Sequence, residues 1–536
     1  MQLGTTWYPE YRDESTWELD LAQIRDAGIG AIRFGEFAWS RIEPEPGRFD
    51  SDWIARALAA MRRHGIEAVI GTPTATPPRW LCERSPETMP VDDSGRRTVF
   101  GARQHRCYSS PAYREASRGV VEHLAQRFGG DPTVVAWQID NEIGGEAKAC
   151  YCDLCAVAFR RWLEPRYDGI ADLNKRWGTQ FWSQTYQRFD QVPVPSRTAL
   201  QLGLKHNPSL MLEWLRFHSE NMVGFCHEQA AVVRRGNASR TPVLTNYDAF
   251  DWGENIDLRR MFTGLDVVGF DLYTDKDHVI ACYCDLMHDV LARPFWFMEY
   301  DVSSAKLAAE LDAIAASGAV ERLFFFKFNP FPWGQEQSTR ALRTVTGGAT
   351  ANYDAVRVWS KRSRPTAPAV RRRVGVVYDH DSSWSRFLTG WSGIPGDLTY
   401  PRALVNDVYR ALHALGERAR FALEPAALRD VELVVLPWTV VHEPGLEQAV
   451  LAHLRRGGSL LMTQDVFLKN RDNVFNETLP ALYREMGCAG FLDHEPVGEH
   501  ALVRDLRVGK ARVVVLGTGA TFEQWTHWLR MLLPAA

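Results

Sequence analysis

Several apolar runs of this sequence end in carboxylates, the side chains best suited to general acid and base chemistry. The mostly apolar residues 134–139 are followed by Asp140, Asn141 and Glu142, and PFWFMEY (294–300) carries Glu299 behind four apolar side chains. Such a carboxylate is hard to solvate unless a cavity opens beside it, so desolvation raises its pKa unless hydrogen bonds keep it charged. Two carboxylates from different strands suit glycoside hydrolysis. One protonates the leaving oxygen, and the other attacks the anomeric carbon or activates water.

Other polar residues stand at the ends of further apolar runs: Arg33, Glu36, Asp271, Tyr273, Asp301 and Glu336. For any single acid the simpler interpretation is a loop cap or a surface ion pair, because most charged residues lie at the surface. An Asn-Glu pair after one run, combined with a glutamate inside another, instead favours a reactive site at the rim of a sheet.

Eight apolar runs alternate with amphipathic stretches, which is typical of parallel β-α units. Stretches 16–28 and 52–65 have helical spacing, and Gly65 fits a helix C-terminus. The pattern predicts a (β/α)8 TIM barrel over residues 1–365, with reactive groups at the C-terminal strand ends. The rival, an open doubly wound sheet, needs a glycine-rich loop after its first strand, and none follows here. The predicted strands are 2–8, 30–35, 66–71, 134–140, 242–246, 266–271, 294–300 and 322–328.

A basic, proline-containing stretch, KRSRPTAPAVRRR (361–373), precedes a second α/β pattern. We place a linker at 366–373 and a smaller three-layer α/β domain at 374–536. Glutamine amidotransferases of this fold class need a cysteine nucleophile on an elbow, whereas Cys488 lies in YREMGCAGF without that pattern. The domain is therefore predicted to be structural. Its predicted parallel strands are 374–381, 420–424, 431–438, 458–465 and 511–517, and its predicted helices are 402–416 and 447–458.

Composition and charge are those of an ordinary globular protein. A chain of 536 residues is too long for one ordinary domain, and its net charge of −4 argues against a nucleic-acid surface. Nineteen tryptophans are compatible with a sugar-stacking cleft, although tryptophan is more often part of a core. The N-terminus lacks signal-peptide features and no apolar run approaches the length of a membrane span, so we predict a cytoplasmic location.

Five stretches, in order, resemble glycoside hydrolase family 42, whose members are mostly β-galactosidases. They are RFGEFAWSRIEPEPGRFD (33–50), WQIDNE (137–142), CYCDLC (150–155), LNKRWGTQFWSQ (173–184) and FMEY (297–300). The resemblance covers the barrel and continues into the second domain, which is similar to the family's flavodoxin-like trimerisation domain. It implies a retaining exo-glycosidase that acts on oligosaccharides and forms a homotrimer. The small C-terminal β domain of longer relatives is expected to be absent or reduced.

The resemblance also implies roles for seven residues of the barrel. Glu142 would be the acid/base and Glu299 the nucleophile, with substrate contacts from Arg103, Asn141, Trp182, Tyr273 and Glu336. Strict alternation along a strand would place Asn141 and Glu142 on opposite faces of the sheet. If both serve one sugar, the strand has to break by Asp140.

Four cysteines match a zinc cluster found in part of the family: Cys107, Cys150, Cys152 and Cys155. Four thiolates suit a closed, tetrahedral, structural Zn²⁺. Buried free thiols are the simpler alternative, but three cysteines within six residues favour a metal site. Disulfides are disfavoured in a reducing cytosol. The metal would join the loops after the third and fourth strands, and no cofactor is expected for catalysis.

Three departures from the family pattern concern recognition of the sugar. Thr339 stands where the family has a histidine, FKFNPFPWG (326–334) replaces an arginine-rich pattern, and Tyr300 and Asp301 replace the usual residues after the nucleophile. Residues 330–333 could add an aromatic wall to the pocket. A terminal β-D-galactoside is the predicted substrate, with a β-D-fucoside, an α-L-arabinopyranoside, a β-mannoside or a β-glucoside as alternatives.

An alternative of another class is a non-catalytic carbohydrate-binding protein on the same scaffold. The presence of both Glu142 and Glu299 argues against that alternative. A polysaccharide endo-enzyme would need an open groove, which the packing of a trimer around the site disfavours.

Overall fold

Eight parallel strands close into a barrel in the computed structural model of the chain, which describes residues 1–146, 149–199, 206–248, 255–362, 371–388 and 400–533. Each strand pairs with the next one along the chain, and the eighth returns to the first. This closed order confirms the predicted (β/α)8 barrel and excludes the open doubly wound sheet. The strands are β1 (Gln2–Thr6), β2 (Ala31–Phe34), β3 (Glu67–Gly71), β4 (Val134–Gln138), β5 (Val243–Thr245), β6 (Val267–Leu272), β7 (Phe295–Asp301) and β8 (Val320–Phe326).

The barrel strands form where apolar residues run continuously, because a parallel strand covered by helices is buried on both faces. One buried cluster joins side chains from seven of the strands: Ala31, Val69, Ala136, Leu244, Val267, Trp296, Met298 and Phe324. The Phe324 ring packs so closely on Gly4 of β1 that a Cβ there would lie 2.4 Å from it. Side chains therefore fill the barrel interior, and the chemistry is left to the strand ends.

Helices connect the barrel strands. The predicted helical stretches 16–28 and 52–65 form α1 and α3, and Gly65 after α3 has a left-handed φ of 63°, as a residue beyond a helix C-terminus should. The helices of this part of the chain are α1 (Trp17–Asp26), α2 (Trp39–Ile42), α3 (Asp52–Arg63), α4 (Arg79–Arg84), α5 (Pro111–Phe128), α6 (Asp153–Leu163), α7 (Gly169–Trp177), α8 (Pro208–Gly236), α9 (Leu258–Thr263), α10 (Asp277–Leu291), α11 (Leu307–Ser317) and α12 (Ala351–Ser360).

A second sheet of six strands follows: β9 (Val374–Val377), β10 (Ala419–Ala422), β11 (Leu433–Leu436), β12 (Ser459–Thr463), β13 (Leu502–Val508) and β14 (Ala511–Leu516). Its order is β10-β9-β11-β12-β14-β13, and the five parallel strands have the 2-1-3-4-5 arrangement of flavodoxin-like folds, as predicted. The sequence analysis missed β13, which runs antiparallel to β14 at one edge. Its sequence, LVRDLRV, is charged and partly exposed, so it lacks the apolar run of a buried strand.

The helices of the second sheet include both predicted ones. Residues 402–416 fall on α14, a π-helical turn (Leu404–Tyr409) and α15, and residues 447–458 overlap α16. The helices are α13 (His380–Leu388), α14 (Tyr400–Ala403), α15 (Arg410–Ala414), α16 (Pro444–Arg455), α17 (Ala481–Glu485) and α18 (Phe522–Leu532).

The contacts divide the chain into two compact units. The first consists of Met1–Cys155, His218–Ile280 and Leu291–Pro368 and holds the barrel strands. The second consists of Ala156–Phe217, Ala281–Val290 and Ala369–Ala536 and holds the second sheet. Residues 366–370 of the predicted linker lie outside the described residues. Among the described residues, no helix is both long and apolar enough to cross a membrane.

Candidate active site

A cleft of about 350 Å³ opens at the C-terminal ends of the barrel strands, where TIM barrels carry their reactive groups. Five of the predicted site residues line it: Arg103, Glu142, Tyr273, Glu299 and Glu336. A sixth, Asn141, is buried beside Glu142. The cleft is completed by Phe37, Asp248, Asp301, Phe326, Lys327, Gln337, Ser338 and Arg340. Closure of the barrel therefore brings these predicted residues together from distant parts of the sequence.

The turn after β4 brings both Asn141 and Glu142 to the cleft. The strand ends at Gln138, and Asp140 and Glu142 have left-handed φ angles of 56° and 44°. Such backbone is costly for residues other than glycine and persists only where the surroundings hold it. The Asp140 carboxylate provides this support, since it accepts hydrogen bonds from Arg106 Nη2 at 2.7 Å and from Thr74 Oγ1 at 2.6 Å. The strand thus breaks before Asp140, as a shared site requires.

Two amide side chains hold the backbone of this turn. Gln104 Nε2 donates to the carbonyl oxygens of Asn141 at 3.0 Å and Glu142 at 2.9 Å. Asn246, which follows β5, accepts the Glu142 N–H at 3.1 Å and donates to Asn141 Oδ1 at 2.9 Å. The sequence analysis missed both residues, because an amide near a loop has no pattern that distinguishes it from any other polar residue.

The Glu142 carboxyl is placed to hold a proton near neutral pH. It is 6% exposed, lies 3.0 Å from Arg103 Nη2 and accepts a hydrogen bond from Asn141 Nδ2 at 3.3 Å. Burial, and then the charge of Glu299, raise the pKa of Glu142 to about 7, while the charges of Arg103 and Arg33 oppose the rise. A carboxyl with this pKa can give up a proton and take one back at neutral pH.

The Glu299 carboxylate is bound on both oxygens. Arg33 Nη1 donates to Oε1 at 2.5 Å, and the Tyr273 hydroxyl donates to Oε2. Arg33 is fully buried; its Nη2 also donates to Asn141 Oδ1 at 2.5 Å and lies 3.1 Å from Glu36 Oε1. Two donors therefore fix the orientation of Glu299, and Arg33 connects it to Asn141. The sequence pointed to Arg33 as a strand-end residue without assigning it a role.

Three carboxyl groups lie close together at the C-terminal ends of the barrel strands. Glu142, Asp271 and Glu299 each place one oxygen within 4.8 Å of the others. Retaining glycosidases hold their two carboxyl groups about 5–5.5 Å apart, whereas inverting enzymes leave about 6.5–9.5 Å for a water. The close approach of Glu142 and Glu299 therefore favours direct attack by one carboxylate.

The predicted sugar contacts differ in their surroundings. Arg103 lies 3.4 Å from Glu336 Oε1 in addition to its contact with Glu142, so it spans the cleft. Its Nε also donates to Glu146 Oε1, on a more exposed side chain, at 3.0 Å. Tyr273 remains 43% exposed while its hydroxyl binds Glu299. Trp182 is 63% exposed and belongs to the second compact unit, and its contact with a sugar stays a prediction.

The loop after β8 holds the departures from the family pattern. Thr339 is exposed, and Ser338 and Arg340 on either side of it line the cleft. Lys327 is 2% exposed, and its Nζ lies 3.4 Å from the centroid of the Phe331 ring. These residues give this rim of the cleft two cations, Lys327 and Arg340, where the family has a histidine and an arginine-rich pattern.

The aromatic segment 330–333 does not form a wall of the cleft. Phe331 and Trp333 line a separate, small hollow beside β1, where Phe331 packs on Tyr8 with ring centroids 5.6 Å apart. Within the described part of the chain, the aromatic side chains that line the cleft are Phe37, Tyr273 and Phe326.

The four predicted metal ligands form one buried cluster. Cys107, Cys150, Cys152 and Cys155 place their sulfurs within 4.8 Å of one another, and Cys107 Sγ lies 3.6 Å from Cys152 Sγ and 3.5 Å from Cys155 Sγ. These distances are too long for disulfides. They agree with the edge of about 3.8 Å in a tetrahedron of thiolates around zinc, which follows from Zn–S bonds of about 2.3 Å. The donor set therefore fits a tetrahedral metal ion.

Comparisons with known proteins agree with the geometry of the cleft. The family model of glycoside hydrolase family 42, described as beta-galactosidase, matches residues 6–359. A beta-galactosidase of Thermus thermophilus is 34% identical over 83% of this chain and 73% of its own length. Beta-galactosidase YesZ of Bacillus licheniformis is 38% identical over 85% of this chain and 70% of its own length. A beta-galactosidase structure from Halorubrum lacusprofundi superposes with a TM-score of 0.90 at 27% identity and covers 99% of this chain and 89% of that one.

The support of the turn by Arg106 leads to a prediction about stability. Arg106→Leu should lower the midpoint of urea unfolding, because the buried Asp140 carboxylate would lose its cation at a cost of about 3–5 kcal/mol. Arg56→Leu removes an exposed pair with Glu14 and serves as the control, with little expected change. Equal midpoints for the Arg106 variant and the unmodified protein would contradict the proposed support.

Proposed function

Because this chain belongs to glycoside hydrolase family 42 and is a glycoside hydrolase, we propose that it releases terminal β-D-galactosyl units from oligosaccharides with retention of configuration. The observation that carries the proposal is the pair of carboxyls in one cleft. Glu142 has a pKa of about 7, and Glu299 lies close to it with both oxygens bound by donors. The two differ in their surroundings as an acid and a nucleophile must.

In the first step, Glu299 attacks the anomeric carbon and forms a bond from its carboxylate oxygen to that carbon. The glycosidic C–O bond breaks, and the proton of Glu142 passes to the leaving oxygen. Arg33 and the Tyr273 hydroxyl hold the attacking carboxylate in position. The close approach of the Glu142 and Glu299 oxygens supports this direct displacement.

In the second step, Glu142 takes a proton from a water molecule, whose oxygen attacks the anomeric carbon. The bond between that carbon and Glu299 breaks, and the free sugar leaves with the original configuration. Asn141 has its oxygen occupied by Arg33 and Asn246, so its Nδ2 faces the Glu142 side and is the group that would bind the sugar 2-hydroxyl.

The substrate contacts proposed for Arg103, Tyr273, Trp182 and Glu336 remain part of this proposal. Galactose is favoured because the relatives from Thermus thermophilus and Bacillus licheniformis are beta-galactosidases. The cationic rim of Lys327 and Arg340 and the position of Thr339 keep the alternatives open: a β-D-fucoside, an α-L-arabinopyranoside, a β-mannoside or a β-glucoside.

A panel of nitrophenyl glycosides tests the activity and the sugar together. We expect the highest kcat/KM for β-D-galactoside and loss of turnover in Glu299→Gln, because the amide cannot form the glycosyl-enzyme. Sugar binding by that variant should remain measurable by calorimetry. Glu83→Gln makes the same change at an exposed carboxylate of α4 and should be fully active. Failure of the unmodified protein to cleave any member of the panel would favour the non-catalytic, carbohydrate-binding alternative.

The raised pKa of Glu142 predicts the alkaline side of the pH profile. Since Glu142 must carry a proton in the first step, kcat/KM should fall as the pH rises through about 7. The Arg103 charge lowers the pKa of Glu142, so Arg103→Met should move this fall to higher pH. Arg79→Met, at an exposed site of α4, should leave the profile unchanged. A shift to lower pH in the Arg103 variant would contradict the assignment of the limb to Glu142.

We also propose that the four-cysteine cluster binds a structural Zn²⁺. Cys107 lies four residues after Arg103, and Cys150 lies eight residues after Glu142, so the ion would tie together the loops that carry both side chains. Zinc would add cross-links between the loops after β3 and β4 and no step of the reaction.

Metal analysis tests the zinc proposal. Protein prepared without chelator should contain about one zinc per chain, and Cys155→Ser should lose most of it because three thiolates leave the tetrahedron incomplete. Cys488→Ser changes a cysteine outside the cluster and should retain the metal. A zinc content far below one per chain in the unmodified protein would remove the proposal.

The family resemblance supports two further proposals, a homotrimer joined through the flavodoxin-like domain at 374–536 and a cytoplasmic location. The five parallel strands of the second sheet agree with the fold expected for such a domain. The assembly and the location themselves stay predictions.

A further inference from the structure

Asp271 is a buried acid next to the two carboxyls proposed for catalysis. It lies on β6, directly opposite Glu299 in the β6–β7 register, and is 0% exposed. One of its oxygens lies within 4.8 Å of oxygens of both Glu142 and Glu299. Asp271 does not line the cleft, so any effect on the reaction passes through the residues that it contacts.

Asn246 connects Asp271 to the turn that carries the proposed acid/base. Its Nδ2 donates to Asp271 Oδ2 at 2.6 Å and to Asn141 Oδ1 at 2.9 Å. Its Oδ1 accepts the Glu142 N–H at 3.1 Å and Gln138 Nε2 at 3.0 Å. Both ends of the amide are engaged, so the contact with Asp271 helps to fix Asn246 and, through it, Asn141 and Glu142.

Asp271 faces more negative than positive charge. Glu142 after β4, Glu299 on β7 and Asp248 after β5 surround it, and Arg33 on β2 is the cation that opposes them. Arg33 is already engaged by Glu299 and Glu36. Burial, followed by the charges of Glu299 and Glu142, raises the pKa of Asp271 well above its ordinary range. A charged Asp271 would leave this buried group with an excess of anions.

The surroundings of the second Asp271 oxygen, Oδ1, are those expected of a protonated carboxyl. Asp271 Oδ1 is buried and accepts no hydrogen bond from a donor among the described residues, whereas Oδ2 accepts from Asn246. A side-chain hydrogen bond between Asp271 and Glu142 lowers the pKa of Glu142, as expected if Asp271 is the donor. A neutral carboxyl uses Oδ2 as its carbonyl oxygen and carries the proton on Oδ1. An ionised carboxyl would instead bury an unpaired anionic oxygen, which costs far more than a buried hydroxyl.

We propose that Asp271 is a positioning residue that stays protonated beside the two catalytic carboxyls and, through Asn246, holds Asn141 and Glu142 in place. The inference rests on the roles proposed for Glu142 and Glu299. A neutral Asp271 adds no third anion to the site, so one carboxyl can remain charged while the other keeps its proton. An asparagine at this position reproduces both its shape and its neutral state, and an alanine reproduces neither.

The pair Asp271→Asn and Asp271→Ala tests the protonation state with nitrophenyl β-D-galactoside as the substrate. Asp271→Asn should keep kcat close to that of the unmodified enzyme and leave the alkaline limb of kcat/KM in place. If Asp271 were ionised, removal of its charge would lower the pKa of Glu142 and move that limb down by about one pH unit or more. Such a shift would overturn the proposal.

Asp271→Ala should lower kcat by up to about 100-fold through misplacement of Glu142. Asn246→Ala should have a similar effect, and the double variant should be no slower than either single variant because both act through one contact. Additive losses, or full activity of Asp271→Ala, would contradict positioning through Asn246.

If Asp271→Ala fails to fold, infrared difference spectra between the unmodified protein and Asp271→Asn test the protonation state of Asp271. A carboxylic-acid carbonyl band that is lost in the variant supports a protonated Asp271, and loss of a carboxylate band overturns it. Absence of hydrolysis by the unmodified protein would instead refute the proposed function.

Discussion

The buried guanidinium of Arg33 joins the parts of the candidate active site. Its terminal nitrogens contact Glu299 on β7, Asn141 after β4 and Glu36 after β2. A fully buried cation is stable only where anions and acceptors replace its water, so these groups have to converge on it. Parallel strands of a closed barrel end at one rim, and barrel closure therefore supplies the partners. The same contact stabilises the rim and orients the proposed nucleophile.

The donors around each carboxyl explain why three neighbouring acids behave differently. Glu299 is bound by Arg33 and Tyr273, Glu142 is balanced by Arg103 at the edge of the cleft, and Asp271 receives one amide hydrogen bond. Burial raises the pKa of Glu142 to about 7 and raises that of Asp271 well above its ordinary range. The available cations and donors, more than the residue types, support the different roles proposed for these carboxyls.

The barrel could be predicted from the sequence because its strands are apolar runs with helical stretches between them. The same reasoning missed β13, since LVRDLRV lies at a sheet edge where charged side chains are tolerated. It also missed Gln104 and Asn246, because their role depends on reaching the backbone of a turn that is distant in sequence. Phe331, from the expected aromatic wall at 330–333, packs instead on Tyr8, which follows β1, a contact that no local pattern encodes.

The sequence by itself determined the order of the eight strands, the family, and the pairing of Glu142 with Glu299 as candidate acid and nucleophile. Those features follow from hydrophobic periodicity, predicted burial and short motifs, which are local properties of the chain. Only the tertiary structure decided how the strand breaks at Asp140, that Arg33 and Asn246 hold the site, and that Asp271 lies between its carboxyls. Desolvation and hydrogen bonding depend on distances between segments far apart in the chain, and folding alone sets those distances.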